Sequence, residues 1–268
     1  MCGRFAVTTD PKLLAEKIQA IDEATSAKKD VAGANYNVAP TTTISAVVRR
    51  HSEPDDDPSR RVRLMRWGLV PPWAKEGADG APEGKGPLLI NARAEKVTSS
   101  PAFRSSAKSK RCLIPMDGWY EWRPNGQTAS GKKAPKTPFY MYGSDGELLF
   151  MAGLWSTWRP QLSSLRASGS SPDAPKDTAP LLSCTIITTD AAGPLADIHD
   201  RMPLTVSAPD WDRWLDPDAP IDEGLLRGHG DLDRIEIREV SRLVNNIRNN
   251  GPELIEPAGP ELEQATLL

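Results

Sequence analysis

Apolar and polar positions along this chain follow a two-residue period more often than a helical one. RVRLMRWGLV (61–70) and RIEIREV (234–240) carry apolar side chains at close to every second position, as half-buried strands do. ISAVVRR (44–50) reads as the partner of 61–70 in a hairpin-like unit joined by the acidic loop SEPDDDP. RCLIPMDGWYEW (111–122) reads as a strand that turns at Asp117-Gly118. FYMYGSDGELLFMAGLWSTW (139–158) reads as a β-hairpin pivoting on Ser-Asp-Gly. LLSCTIITTDA (181–191) is an apolar strand in which Cys184 is most simply a core thiol. Helical spacing occurs in KLLAEKIQAIDEA (12–24) and in SAPDWDRWL (207–215), where Ser207 is the expected N-cap and Pro209 sits in the first turn.

Two stretches interrupt this pattern, AKEGADGAPEGKGP (74–87) and the Ser/Pro-rich 163–180. Both read as flexible inserted loops and not as linkers, because strand signals continue on either side. From Pro252 onward, with Pro257 and Pro260, the chain reads as loosely attached. No internal repeat or heptad pattern is present. The expected fold is α+β: a single domain, 1–256, on a largely antiparallel, barrel-like β-sheet with flanking helices, followed by a tail, 257–268.

Composition narrows the class. The 268 residues are 38% hydrophobic and 26% charged, ordinary for a globular chain. No apolar run approaches the roughly 20 residues of a membrane helix, and no signal peptide opens the chain. Three widely spaced cysteines argue against a disulfide framework and for a reducing, cytoplasmic setting. Without a CxxC pair, and with only three scattered histidines, a zinc site is not expected. The 33 basic and 36 acidic residues give a net charge of −3, which is no footprint of a duplex-coating protein. The basic run Arg104, Lys108, Lys110, Arg111 is ordinarily a solvated face.

The chemistry starts at the first five residues, MCGRF. Loss of Met1, which a small residue at position 2 favours, leaves Cys2 with an α-amine two bonds from its thiol. With a pKa of about 7.7–8.0, that amine is a competent nucleophile near neutrality. Five further stretches hold candidate groups: NYNVAP (35–40), RWGLVPPW (66–73), INARAE (90–95), DGWYEW (117–122) and DIHDRMP (197–203). Taken singly, each has an ordinary structural explanation. Together they fit one task. A 1,2-aminothiol attacks carbonyl carbon, and Glu121, among aromatics that raise its pKa, could help expel oxygen. His199, flanked by Asp197 and Asp200 and expected to lean toward its charged form, could move a second proton. Asn91 could orient groups by hydrogen bonds. Arg4, Arg93 and Arg201 suit phosphate oxygens, and Trp67 or Trp73 could stack on an unpaired base. An aldehyde held between phosphates and unstacked bases is an abasic site in single-stranded DNA.

MCGRF, YNVAP, WGLVP, NARAE, DGWYEW, DIHDRMP and VNN (244–246), in this order, resemble the SOS response-associated peptidase family over residues 2 to about 256. The resemblance implies that Cys2, exposed by autocatalytic or aminopeptidase loss of Met1, crosslinks covalently to abasic sites in single-stranded DNA. By the same resemblance Asn91, Glu121 and His199 are active-site residues. Arg4, Asn37, Trp73, Arg93 and Arg201 are then DNA contacts. A Schiff base from the Cys2 amine would be closed by the thiol into a thiazolidine, with lyase-like reversal by the same groups. Neither metal nor cofactor is called for. The expected partner is single-stranded DNA with abasic sites, with replication-fork proteins as candidates; a monomer is the default, with no membrane association. Two departures stand out: Ala74 replaces an aromatic that some relatives carry, and loops 74–87 and 163–180 are long. Two competing readings are an N-terminal-nucleophile cysteine peptidase or amidase, which needs an oxyanion hole, and a single-strand-binding module without covalent chemistry.

Overall fold

The computed structural model describes residues 2–25, 33–84, 86–127, 131, 133–160 and 179–259. In chain order the elements are β1 (Phe5–Val7), α1 (Pro11–Lys17), β2 (Ile21–Asp22), β3 (Asn35–Val38), β4 (Thr43–Arg50), β5 (Ser59–Trp67), β6 (Asn91–Arg93) and α2 (Arg104–Ser109). They continue with β7 (Arg111–Met116), β8 (Gly118–Arg123), β9 (Thr137–Gly143), β10 (Leu149–Trp158), β11 (Leu181–Asp190), β12 (Arg201–Pro203), α3 (Trp211–Leu215), α4 (Glu223–Arg227) and β13 (Ile235–Glu239). The strands form two sheets, one ordered β13-β9-β8-β1-β3 and a larger one ordered β12-β11-β10-β7-β4-β5-β2 with β6 beside β11. In the larger sheet β11 also pairs in parallel with β5, through Ser183↔Arg66 and Cys184↔Trp67, so β5, β4, β7, β10 and β11 close into a ring. The sheet is therefore mixed, with antiparallel neighbours dominating. No helix among the described residues is long and apolar enough to cross a membrane.

Alternation along the ring strands creates two cores. One face carries Val47, Val62, Leu113, Leu154 and Ile187 and is covered by the helices through Leu14, Phe103 and Trp214. The other face carries Ala46, Met65, Ile114, Met151 and Ile186 and packs on the smaller sheet through Phe5, Trp119 and Met141. Cys2 belongs to this second core.

Several elements depart from the sequence expectation. The helix expected over 12–24 stops at Lys17: Asp10 caps it and Pro11 opens it, but Gln19 takes a left-handed φ of 53°, and Ile21 and Asp22 then pair with β5. The 139–158 segment is not a hairpin. β9 pairs with β8 and β13, whereas β10 pairs with β7 and β11, so the Asp145-Gly146 turn carries the chain between sheets. The 111–122 strand is likewise divided between sheets at Asp117, whose carboxylate accepts the Thr8 N–H at 2.7 Å. A short 3₁₀ turn, Ala208–Asp210, precedes α3, and the Ser207 hydroxyl donates to Asp231 at 2.8 Å in place of capping. Loop 74–87, described except for residue 85, is folded on itself by Gly77 N–H to Ala81 and Glu83 N–H to Lys75, each 2.7 Å. Beyond Pro252 the chain is docked: Leu254 is fully buried and Ala258 N–H reaches the Glu239 carbonyl at 3.0 Å. Residues 161–178 and 260–268 lie outside the described residues, and with them most of the expected insert and tail.

Gly118, where the chain leaves one sheet for the other, has no room for a side chain. An added Cβ would stand 2.3 Å from the Met141 carbonyl and 2.5 Å from the Tyr140 ring. Gly118→Ala is therefore expected to destabilise the protein by about 1–3 kcal/mol, the usual range for overpacking. Urea denaturation measures this, and an unchanged midpoint would mean that β8 and β9 separate without cost.

Candidate active site

Burial of the chain's second residue begins with β1, an inner strand held by β8 on one side and β3 on the other. Phe5 pairs with both Trp119 and Val38. The ladder continues beyond the strand with Tyr120 N–H to the Arg4 carbonyl at 2.9 Å, drawing Cys2 and Gly3 along β8 toward Glu121. Cys2 is 0% exposed. Asn91 approaches from the other sheet: β6 is registered to β11 by Ile186↔Asn91, and the Asn91 Nδ2 donates to the Cys2 carbonyl at 2.7 Å. The Asn91 Oδ1 is buried and has no partner among the described residues.

Electrostatics tie the remaining candidates to the same place. Burial, then the charge of Glu121, pushes the Cys2 thiol well above its ordinary range, while the N-terminal ammonium and the Arg4 backbone N–H pull it down. Burial likewise raises Glu121 to about 7; the N-terminal ammonium and Lys136 oppose the rise and Asp200 adds to it. His199 moves the other way. Burial and then the N-terminal ammonium lower it, against the pull of Asp200. The expectation that its aspartates would bias His199 toward the charged form is thereby corrected, because desolvation outweighs them. Asp200 is in contact, its carboxylate 2.7 Å from Nδ1. The same nitrogen lies 3.0 Å from the Arg201 backbone nitrogen, so Nδ1 is held by two neighbouring residues of its own loop. Cys2, Asn91, Glu121 and His199 are thus brought together, each from a different element. A carboxyl that is part protonated near pH 7 and a neutral imidazole make a proton donor and a proton acceptor around one thiol.

The residues expected to touch DNA divide into two groups. Trp73 is 63% exposed on the Pro71-Pro72 bend, and Arg93 is exposed at the end of β6. Trp67 is corrected. It is completely buried, packs edge-on against Phe5 at 5.0 Å and donates its Nε1 to the Ile90 carbonyl, so it offers no face for stacking. Asn37 is also turned inward: its Oδ1 accepts from Arg4 at 2.7 Å and its Nδ2 serves the carbonyls of Val244, Asn246 and Asn249. Arg4 is half-buried, donates to the Val244 carbonyl as well, and lies 5.9 Å from the Trp122 ring centroid. These contacts give the VNN segment a structural purpose, since Asn245 also accepts the Trp122 indole N–H at 2.7 Å. Arg201 is buried and forks onto Glu95 at 2.7 and 3.1 Å while also bonding Asp190 at 2.5 Å and the Thr188 carbonyl at 2.6 Å. In the DNA-free chain it anchors the His199 loop; a phosphate would have to displace carboxylates from it. Sequence reasoning missed Asp190, which closes β11 far downstream of β6 and carried no local signal. Lys136 stood out only as part of the basic run Lys132, Lys133, Lys136 and was not tied to this site. Among the described residues no cluster of His, Cys, Asp and Glu is arranged to hold a metal.

A family model described as SOS response associated peptidase matches residues 1–247. The chain is similar to the abasic site processing protein YoqW of Bacillus subtilis, 35% identical over 261 residues that cover 96% of this chain and 99% of the relative. It is also similar to the abasic site processing protein YMR114C of Saccharomyces cerevisiae, 30% identical over 287 residues that cover 96% and 68% of the two chains. A solved structure from Bacteroides thetaiotaomicron shares the fold with a TM-score of 0.73 at 22% identity, covering 96% of this chain and all of that one.

The raised Glu121 has a measurable cost. Below its unfolded value near 4.5 both states hold the proton. Between there and about 7 the unfolded chain ionises while the folded one does not, so stability falls as pH rises, by an amount on the order of 3 kcal/mol. Glu121→Gln removes this dependence. Urea unfolding of the DNA-free protein should show the variant gaining on wild type at pH 8 relative to pH 5; a constant difference would mean that Glu121 is not desolvated.

Proposed function

The chain belongs to the SOS response-associated peptidase family, and from that premise we propose that it processes abasic sites in single-stranded DNA by capturing them on Cys2. The observation that carries this reading is a buried second-residue thiol beside a carboxyl whose pKa lies near 7. Loss of Met1 transfers the terminal amine to Cys2 and makes it the first nucleophile. The amine adds to the aldehyde carbon of the opened sugar, and the protonated Glu121 carboxyl gives its proton to the departing hydroxyl, so that one water leaves. The resulting iminium returns its N–H proton to the Glu121 carboxylate and a neutral imine remains. The buried thiol, still protonated, then adds to the imine carbon. A carbon–sulfur bond forms and the thiol proton ends on the ring nitrogen, closing a thiazolidine without further loss of atoms. His199, neutral at the edge of the site, takes the proton that the closed sugar must release before its aldehyde is available. Asn91 holds the Cys2 carbonyl so that amine and thiol face the same carbon. The exposed Trp73 and Arg93 are the groups a strand would meet at the surface, by stacking and by phosphate contact.

Protein recovered from a cytosol should have the intact mass of a chain starting at Cys2. Cys2→Ala should form no heat-stable adduct with an oligonucleotide bearing one abasic site, yet leave an imine that borohydride traps. Stable adduct at the wild-type level in that variant would move the chemistry to a lysine.

Glu121→Gln is expected to slow adduct formation by about 10²–10⁴-fold, the usual worth of general acid–base help, with affinity for single strands nearly unchanged. Release of a preformed adduct should slow as well, since reversal uses the same proton path. His199→Ala should slow formation mainly on ring-closed sugar and much less on a ring-opened substrate. Single-turnover gels on both substrates read these rates. Near-wild-type rates for Glu121→Gln on both would take Glu121 out of the reaction.

A further inference from the structure

One end of the ring concentrates positive charge that the Cys2 chemistry does not use. β4 ends in Arg50, β5 passes through Arg61 and Arg63, and Lys110 immediately precedes β7. The antiparallel pair Val47↔Leu113 sets a register that, carried outward, brings Arg50 opposite Lys110. Like charges placed opposite one another across a ladder repel. Both cations nevertheless converge on a single indole: the Arg50 guanidinium lies 5.5 Å and the Lys110 Nζ 5.3 Å from the Trp155 ring centroid. Neither has an ion-pair partner among the described residues. Alongside them Arg61 and Arg63 share one carboxylate, with Arg61 on one oxygen of Glu23 and the Arg63 Nε on the other at 2.9 Å. The Arg61 Nε is buried and without a partner.

Two of the four cations thus share one carboxylate, and the other two share one indole. Burial and then Arg50 hold Lys110 below the ordinary lysine range. Arg63 is lowered first by burial, and Arg50 and Arg61 add to that against Glu23. By strand alternation Arg50 shares a face with Ala46 and Val48, and Arg61 and Arg63 share one with Met65 and Trp67, so the cluster lies just past the second core. The Cys2 site lies where Trp67 meets Phe5 and Ile90. Around the ring the two are joined through β11, where Trp155 pairs with Cys184 and Cys184 with Trp67, so they are distinct sets of residues on one shared core.

We propose that this cluster is a phosphate-binding site separate from the Cys2 site, taking the oxygens of a phosphodiester backbone or of a free phosphate-bearing molecule. A tetrahedral anion relieves the repulsion between Arg50 and Lys110, and guanidinium forks match its oxygens. Trp155 is buried beneath the cations, so it positions them and does not stack on a base. Recognition at this end is therefore of phosphate and indifferent to base sequence.

Two measurements on the full chain test it. Inorganic phosphate, titrated at constant ionic strength, should shift the Trp155 indole N–H resonance to saturation, and the Arg50→Gln/Lys110→Gln double variant should abolish the shift. That variant should melt higher than wild type at low salt, which establishes that it is folded, and the exchanged pair Arg50→Lys/Lys110→Arg should keep the phosphate response. In the second measurement, binding of an undamaged single strand is followed against salt. If the strand backbone occupies the site, the double variant lowers the log–log slope by about 1.4, at roughly 0.7 per lost phosphate contact. A phosphate shift with an unchanged slope assigns the site to a free phosphate-bearing molecule. No Trp155 shift together with an unchanged slope overturns the proposal. The Cys2 reading is scored independently by adduct formation on abasic DNA, which the double variant should retain at saturating DNA.

Discussion

A chain terminus is ordinarily the least ordered part of a domain, and here it is built into the interior. The constraint that makes this possible is the placement of β1 as an inner strand, laddered to β8 and β3 at once. Three residues of strand suffice because both edges are paired and Phe5 is wedged against Trp67 in the core. The position of Cys2 is then set by backbone hydrogen bonds and not by side-chain preference. Glu121 follows from the same ladder, since it belongs to the strand that β1 pairs with. Asn91 and His199 are delivered from the larger sheet, so the site lies where the two sheets share a core.

Burial sets the proton inventory of that place. Desolvation raises the carboxyl and the thiol and lowers the imidazole, which leaves all three groups closer to neutral than they would be in water. A pocket of uncharged but exchangeable groups is a poor site for binding an ion and a good one for condensation, in which protons must be given and taken around a neutral carbonyl. The charged groups stand one layer out: Asp200 beside His199, and Arg201 clamped between Glu95 and Asp190.

How much of this could be read in the sequence depended on whether the signal was local. Strands 44–50, 61–70, 181–191 and 234–240 were legible because alternation and β-branching are properties of the strand itself. The turn at Ser144-Asp145-Gly146 looks the same whether its flanking strands pair with each other or part to different sheets, and here they part. The helix from residue 12 was overextended because its apolar spacing runs on past Lys17, while the pairing of Ile21 with Arg61 that ends it lies 40 residues away. At the site, Cys2, Glu121, Asn91 and His199 stood out by residue type and motif. Trp67 and Trp73 flank one Pro-Pro bend and were indistinguishable until burial separated them. His199 was misjudged for a related reason: two neighbouring aspartates are visible in a sequence, and the desolvation that overrides them is not.

The ladder between β1 and β8 joins segments separated by more than a hundred residues, and that separation orders events in time during synthesis. Cys2 leaves the ribosome among the first residues, but it cannot be enclosed until β8, ending at Arg123, exists to receive it. At about 5–20 residues per second, roughly 6–25 s pass between the two. Throughout that interval the start of the chain is an open peptide, accessible to any enzyme that trims nascent proteins. Once β1 docks, Cys2 is enclosed at the junction of the two sheets. The interval before that docking is thus the one in which trimming enzymes meet the start of the chain as an extended peptide, and afterwards Cys2 is reached only through the site itself.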